Sequence, residues 1–251
     1  MSHNKDFAYQ FLHALQEELE CRLPEPSLMQ QQVDALKNEA TRFNDPSKKH
    51  LKGQEAAFLN GVAIPIIFEW LCRYCDLSQE EARKAFLSES YQNQPKYCSG
   101  SPSRRLGHPF EKELGVKSIV SVYDRWAKLT KRQPLIQSCP DFAFRPPAPH
   151  KVLFEGKYFQ SRGLQSARRE LVSDAYQTFF YRALPTDKND ASRPDWDYDY
   201  ACLFVYDASP EGFIKKAWED LPEDVRKGFW DGANVFVMML RGSKGNYTYH
   251  V

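Results

Sequence analysis

The stretch Cys139–Phe159, CPDFAFRPPAPHKVLFEGKYF, decides how the rest of the chain reads. It places Asp141 at one end and Glu155 and Lys157, two residues apart, at the other, inside a run of mostly apolar side chains. LIQSCPDFAF and KVLFEGKYF are predicted strands, joined by the proline-rich loop 145–150. Side chains alternate along a strand, so Glu155 and Lys157 share a face. Their neighbours Val152, Leu153, Phe154, Tyr158 and Phe159 are apolar on both faces, as in a central strand covered on both sides. A carboxylate and an ammonium there cost several kcal/mol each unless something compensates them. An antiparallel hairpin brings Asp141 beside Glu155, because opposed positions lie about 5 Å apart. Two carboxylates that close repel each other unless a proton or a cation lies between them.

The pattern leaves two readings. One is a buried Glu155–Lys157 ion pair with Asp141 in a turn. The other is a divalent-metal site. Oxygen ligands with room left for water and phosphate oxygens suit Mg²⁺, with Mn²⁺ as a substitute. Lys157 would then stand beside a metal-bound water, to help deprotonate it or to stabilise charge on a phosphate.

Downstream, a long helix is predicted from about Leu164 to Leu184, then buried strands in YACLFVYD and NVFVMMLR, with helical spacing in SPEGFIKKAWEDL between them. Upstream, a helix is predicted near Leu106–Gly115, followed by a strand in VKSIVSVY. The order from residue 106 is helix, three strands, helix, strand, which is an α/β core around a mixed sheet. Residues 91–105, YQNQPKYCSGSPSRR, are polar and mark the best candidate boundary. The first 90 residues read as helical. Phe7, Phe11, Leu15 and Leu19 repeat at helical spacing until Pro24 and Pro26. Further helices are predicted over 28–43 and 54–75, the second apolar on most sides and buried. Ser78 and Glu81 have the spacing of a capping box. Two regions are therefore expected: a helical region 1–95 for DNA recognition or dimer contacts, and a core over 96–251.

Composition bounds the function. The chain has 251 residues, 42% hydrophobic and 27% charged, with a net charge of +1. That balance gives no electrostatic case for a nucleic-acid or membrane partner as a whole. Basic residues cluster locally, at Arg104-Arg105 and Arg168-Arg169 among others, and these are candidates for phosphate contacts. VAIPIIFEWLC, the most apolar window, is too short to span a bilayer and carries Pro65 and Glu69. The first residues lack the basic start and apolar stretch of a secretory leader. The six cysteines are scattered and read as reduced thiols, so a cytoplasmic protein is expected. Cys72 and Cys75 form a lone C-x-x-C inside an apolar helical run, without the second pair that a zinc site needs. No phosphate-binding glycine loop and no G-x-S-x-G occur.

Pro140-Asp141 followed by Glu155-Gly156-Lys157 resembles the signature of the PD-(D/E)XK nuclease superfamily, which includes many restriction endonucleases and the RecB-type nucleases. The derived order of helix, three strands, helix, strand is similar to that family's core. RRLGHPFEKEL places Gly107 and Glu111 as in the family's G-x-x-x-E helix, whose glutamate supports the metal site. Glu113 lies about 200° away on a helix, so only one of the two can face the site. Gln177 and Tyr181 resemble the Q-x-x-x-Y of RecB-like members. Glu170, Asp174, Gln177 and Tyr181 fall within roughly 60° of one another on a helix, a single polar stripe.

The resemblance covers roughly residues 104–208. It implies a restriction-endonuclease-like mixed sheet flanked by helices, and a Mg²⁺-dependent DNA endonuclease, most closely a restriction-type or related defence enzyme. Asp141, Glu155, the Gly156 carbonyl and Glu111 would hold metal, and Lys157 would orient or activate water. Gln177, Tyr181, Arg168 and Arg169 would position the DNA. Cutting both strands of double-stranded DNA would call for a homodimer. A RecB-like exonuclease or structure-specific nuclease, and a non-catalytic nucleic-acid-binding module, remain as alternatives.

Overall fold

The computed structural model describes residues 2–42, 51, 53–88, 97–98, 137–138, 140–160, 163–183, 198–209 and 211–242. The predicted helix near 106–115, the strand in 116–123 and the boundary at 95/96 lie outside them.

Helix α1 (Ser2–Arg22) stops ahead of Pro24, and α2 (Pro26–Arg42) starts on a proline, whose missing N–H costs nothing in a first turn. The stripe that α1 buries is Ala8, Phe11, Leu12, Leu15 and Leu19. Phe7, which the sequence spacing put in that stripe, is 62% exposed. The helix expected over 54–75 is present but not uniform. It runs as α3 (Gln54–Phe58), a wide π turn (Leu59–Ala63) and α4 (Ile64–Tyr74). The wide turn comes just before Pro65, which cannot donate the usual helical hydrogen bond to the carbonyl four residues back. Helix α5 (Gln79–Ala85) opens with the expected capping box. Ser78 Oγ accepts from Glu81 N at 3.3 Å, and Glu81 Oε2 accepts from Ser78 N at 2.9 Å. The chain then turns directly into a strand that the sequence reading missed, β1 (Phe86–Ser88).

A small antiparallel ribbon pairs β2 (Tyr97–Cys98) with β3 (Gln137–Ser138). The remaining elements are β4 (Phe142–Phe144), β5 (Val152–Phe159), α6 (Leu164–Ala183), β6 (Tyr200–Asp207), α7 (Phe213–Glu219), α8 (Glu223–Asp231) and β7 (Val235–Leu240). The helix α8 was not anticipated. The main sheet has the order β1-β4-β5-β6-β7. β1 and β5 flank β4 antiparallel, whereas β5, β6 and β7 run parallel. The protein is thus an α/β protein with a five-stranded mixed sheet and an N-terminal helical region.

Both faces of the sheet are covered, which is why β5 and β6 are apolar almost throughout. On one face α1, α3 and α4 pack Phe11, Leu15, Phe58, Leu59 and Ile67 against Phe142, Phe154, Phe204 and Tyr206. On the other, α6 to α8 pack Leu171, Ala175, Phe179 and Phe229 against Leu153, Leu203 and Val205. Helices α1 to α4 therefore share one core with the sheet. Among the described residues one helical stretch, Gln54–Tyr74, is long and apolar enough to cross a membrane by length and composition. It is longer than the short apolar window expected from sequence, and its buried side chains pack on the sheet.

Where β7 ends, Glu20 of α1 accepts backbone hydrogen bonds from Arg241 N and Gly242 N, each at 3.1 Å. Burial pushes its carboxyl up to about 7, against the pull of those two amides, from an ordinary 4.5. A raised carboxyl favours the protonated folded state. Its contribution to stability is fully present below 4.5 and is lost as pH rises through about 7. The melting temperature should fall across that window, and Glu20→Gln should flatten the fall; equal slopes in the two proteins would count against this assignment.

Candidate active site

The site is built where β4 meets β5. Their register, Phe142↔Phe154, continued by one residue, sets Asp141 opposite Glu155. Asp141 N donates to Phe154 O at 3.1 Å, and its Oδ2 accepts from Gly156 N at 2.7 Å. The hairpin expected from sequence is therefore present, and it pins Asp141 to the strand that carries Glu155, Gly156 and Lys157. Glu155 is 4% exposed. Lys157 Nζ lies 2.8 Å from Glu155 Oε1, so the ion pair of the first reading is formed. It does not exclude the second, because Asp141 is held beside the pair and not in a remote turn.

Glycine at 156 leaves room for a close packing contact. A β-carbon there would meet the Leu59 side chain of the π turn, with Cδ1 2.9 Å away. Leu59 is itself buried in the core.

Helix α6 closes the site from the second layer. Gln177 Nε2 donates to Glu155 Oε1 at 3.2 Å and also to the Tyr181 hydroxyl. Asp174, Gln177 and Tyr181 are 6%, 8% and 5% exposed, so their stripe faces inward, toward β5, and not solvent. The Gln177 Oε1 is buried without a hydrogen-bond partner among the described residues. Arg168 lies about 180° from Gln177 on the helix. Its Nη2 donates to Asp220 O at 2.9 Å, which ties α6 to the end of α7 and directs this side chain away from the site. Arg169 is exposed on the same helix. Arg104, Arg105 and Glu111 lie outside the described residues.

Sequence reasoning missed Glu55. It stands in the first turn of α3, and its Oε1 lies 3.2 Å from Lys157 Nζ. No sequence signal links it to Lys157, because the contact arises only where α3 packs on β5. Glu55, Lys157, Glu170 and Asp174 line a cleft of about 580 Å³, together with Tyr158, Gln160 and Ser166.

The electrostatics follow from this crowding. Burial, and then the Glu155 charge, push the Asp141 carboxyl well above the usual range. Burial also raises Glu155, against the pull of Lys157. Burial alone would lower Lys157, but Glu155, Glu55, Asp141 and Asp174 outweigh it and hold the ammonium well above its ordinary value. Carboxylates outnumber the one ammonium, and that conflict is what a divalent cation relieves. Asp141 and Glu155 fit such a cation as a partial oxygen set. Among the described residues no three His, Cys, Asp or Glu side chains converge into a complete cage, so water and substrate oxygens would fill the remaining positions. Comparison of the chain with family models, with curated proteins and with solved structures finds no match.

Removing the cation of the pair leaves buried carboxylates uncompensated. Lys157→Met should cost about 3–5 kcal/mol at neutral pH. Raised carboxyls favour folding when protonated, so the deficit should shrink as pH falls; denaturant titrations at several pH values would show it. Gly156→Ala should cost about 1–3 kcal/mol by overpacking against Leu59, measured the same way.

Proposed function

We propose that this protein is a metal-dependent nuclease that hydrolyses phosphodiester bonds in DNA, with a restriction-endonuclease-like core. The observation that carries the reading is the register of β4 on β5. It holds Asp141 against Glu155 and Gly156, with Lys157 one alternation further on. Three further features support it. The sheet has antiparallel β1 and β4 followed by parallel β5 and β6, with α6 between the last two. Gln177 reaches Glu155 from α6. An open cleft adjoins Lys157.

In this reading Asp141 and Glu155 hold a Mg²⁺ or Mn²⁺ ion, which when bound polarises the scissile phosphate and lowers the pKa of a bound water. The chain's own groups do the rest. The Lys157 ammonium stabilises negative charge that develops on the phosphate. The Gln177 amide fixes one oxygen of Glu155, and Tyr181 fixes that amide. Glu55 adds a carboxylate beside Lys157, while Glu111, to which the resemblance gives support of a metal or a metal-bound water, lies outside the described residues. Within nucleases, a restriction-type enzyme acting as a homodimer on double-stranded DNA is the first reading. The Gln177–Tyr181–Glu155 contact favours a RecB-like exonuclease as the second.

Cleavage of supercoiled and linear DNA, with Mg²⁺ or with EDTA, tests both. Discrete products from circular DNA are expected under the first reading, and shortening only from free ends under the second. Asp141→Asn, Glu155→Gln and Lys157→Ala should each lower the rate by about a hundredfold or more. Glu55→Gln and Glu111→Gln, run side by side, assign the third carboxylate. Intact DNA binding with no Mg²⁺- or Mn²⁺-dependent cleavage would leave a binding module in place of the enzyme.

A further inference from the structure

The side-chain amide of Gln177 is only half used by the contacts around it. It is 8% exposed and reaches from α6 to β5. A glutamine amide brings two N–H donors and one carbonyl acceptor with two lone pairs. The nitrogen is engaged: Nε2 donates to Glu155 Oε1 at 3.2 Å and to the Tyr181 hydroxyl. The oxygen is not. Gln177 Oε1 is buried and has no hydrogen-bond partner among the described residues. A buried acceptor left unpaired is unfavourable, and in folded proteins such groups are nearly always bonded to protein or to ordered water. Turning the amide over does not cure this. Oε1 would then face the Glu155 carboxylate, acceptor against acceptor, and a donor would stand unpaired in its place. The position calls for a hydrogen-bond donor that the described side chains do not provide.

Its surroundings narrow the choice of donor. The two polar atoms of an amide share one carbon, so Oε1 lies within about 6 Å of Glu155 Oε1. Glu155 is one of the two carboxylates that hold a divalent cation under the proposed function. With Asp141 it supplies only part of a coordination shell. Mg²⁺ held in this way keeps several of its waters, and a water on a divalent ion is a stronger donor than a free one.

We infer that Gln177 Oε1 accepts a hydrogen bond from a water that this ion keeps. The inference rests on the metal site of the proposed function. One amide then steadies the site twice, with its nitrogen on the Glu155 carboxylate and its oxygen on the hydration of the cation. Two acceptors on Nε2 fix the plane of the amide, so its oxygen is already in place before the ion arrives. Gln177 is thus a positioning residue, which holds a ligand of the ion and a water of the ion without ligating the ion itself.

Crystals of the wild-type protein grown with Mn²⁺ and without DNA test it, because the anomalous signal of manganese locates the ion independently of turnover. The expected result is an ion at Asp141 and Glu155, with a coordinated water about 2.5–3.0 Å from the Gln177 side-chain oxygen. An ion there with that oxygen bare, or bonded only to a water that does not touch the ion, would overturn the inference and leave the metal site standing. No ion at Asp141 and Glu155 would sink the metal site itself, and the inference with it. Titration calorimetry with Mn²⁺ gives a second measure. Gln177→Met keeps the length of the side chain but has neither amide atom. It should bind Mn²⁺ about ten- to a hundredfold more weakly, the usual cost of losing a group that supports metal ligands. Wild-type affinity in that variant would also overturn the assignment. Should Gln177→Met fail to fold, the wild-type crystal decides alone.

Discussion

Glu155 and Lys157 sit inside a strand that is covered on both faces, and much of the arrangement around them answers that cost. A charged pair in such a strand is tolerable only if each partner finds further polar contacts. Gln177 reaches Glu155 from one layer, and Glu55 reaches Lys157 from α3 in the other. Asp141 is added to the same place by the β4–β5 register, although it worsens the excess of negative charge. Stability alone would favour an apolar residue at 141. Keeping three charged groups on two adjacent strands makes sense if the excess is to be met by a bound cation. The interaction most costly to folding is then the one that defines the chemistry.

The sheet explains how helices distant in sequence converge on that point. Helix α3 packs against β5 from the first layer, which brings Glu55 to the site. β5 and β6 are parallel, so the connection between them must cross one face of the sheet, and α6 is that crossing. The two helices therefore approach Lys157 from opposite layers. Gly156 allows the approach on one side: the absence of a side chain lets the π turn at Leu59 press against β5. The π turn in turn belongs to the helix that carries Glu55. The spacing Glu-Gly-Lys thus serves packing as well as chemistry.

Much of this was legible in the sequence. Strand alternation set Glu155 and Lys157 on one face, and two strands joined by one loop put Asp141 across a hairpin from Glu155. Helical geometry grouped Asp174, Gln177 and Tyr181 correctly, though it could not say whether the stripe met water or the sheet. The failures have physical causes. Phe86–Ser88 is only a short strand. It is formed by pairing to β4 and not by any periodicity of its own, so residues 1–95 looked wholly helical. Glu55 carries no sequence signal of its nearness to Lys157, because that contact exists only once α3 packs on β5. Helical geometry alone did not show that Arg168 bonds the Asp220 carbonyl at the end of α7. Long-range pairing and the azimuth of one side chain are the two properties that local sequence specifies least.

The balance of charge in the cleft bears on how such a site would work. With no cation bound, Lys157 serves as counter-ion to the carboxylates around it, which is why its ammonium is held so firmly. A divalent ion at Asp141 and Glu155 would take over that duty, leaving the lysine with Glu55 and Asp174. Those two sit on the walls of the open cleft and not in the strand pair. The ammonium would then be directed at whatever enters the cleft while keeping its charge. An anionic phosphate entering an acid-lined cleft is repelled unless cations face it. Under the proposed function, Lys157 and a bound metal ion would supply those cations. Entry of a phosphate into this cleft would then, under the nuclease reading, depend on a bound metal ion.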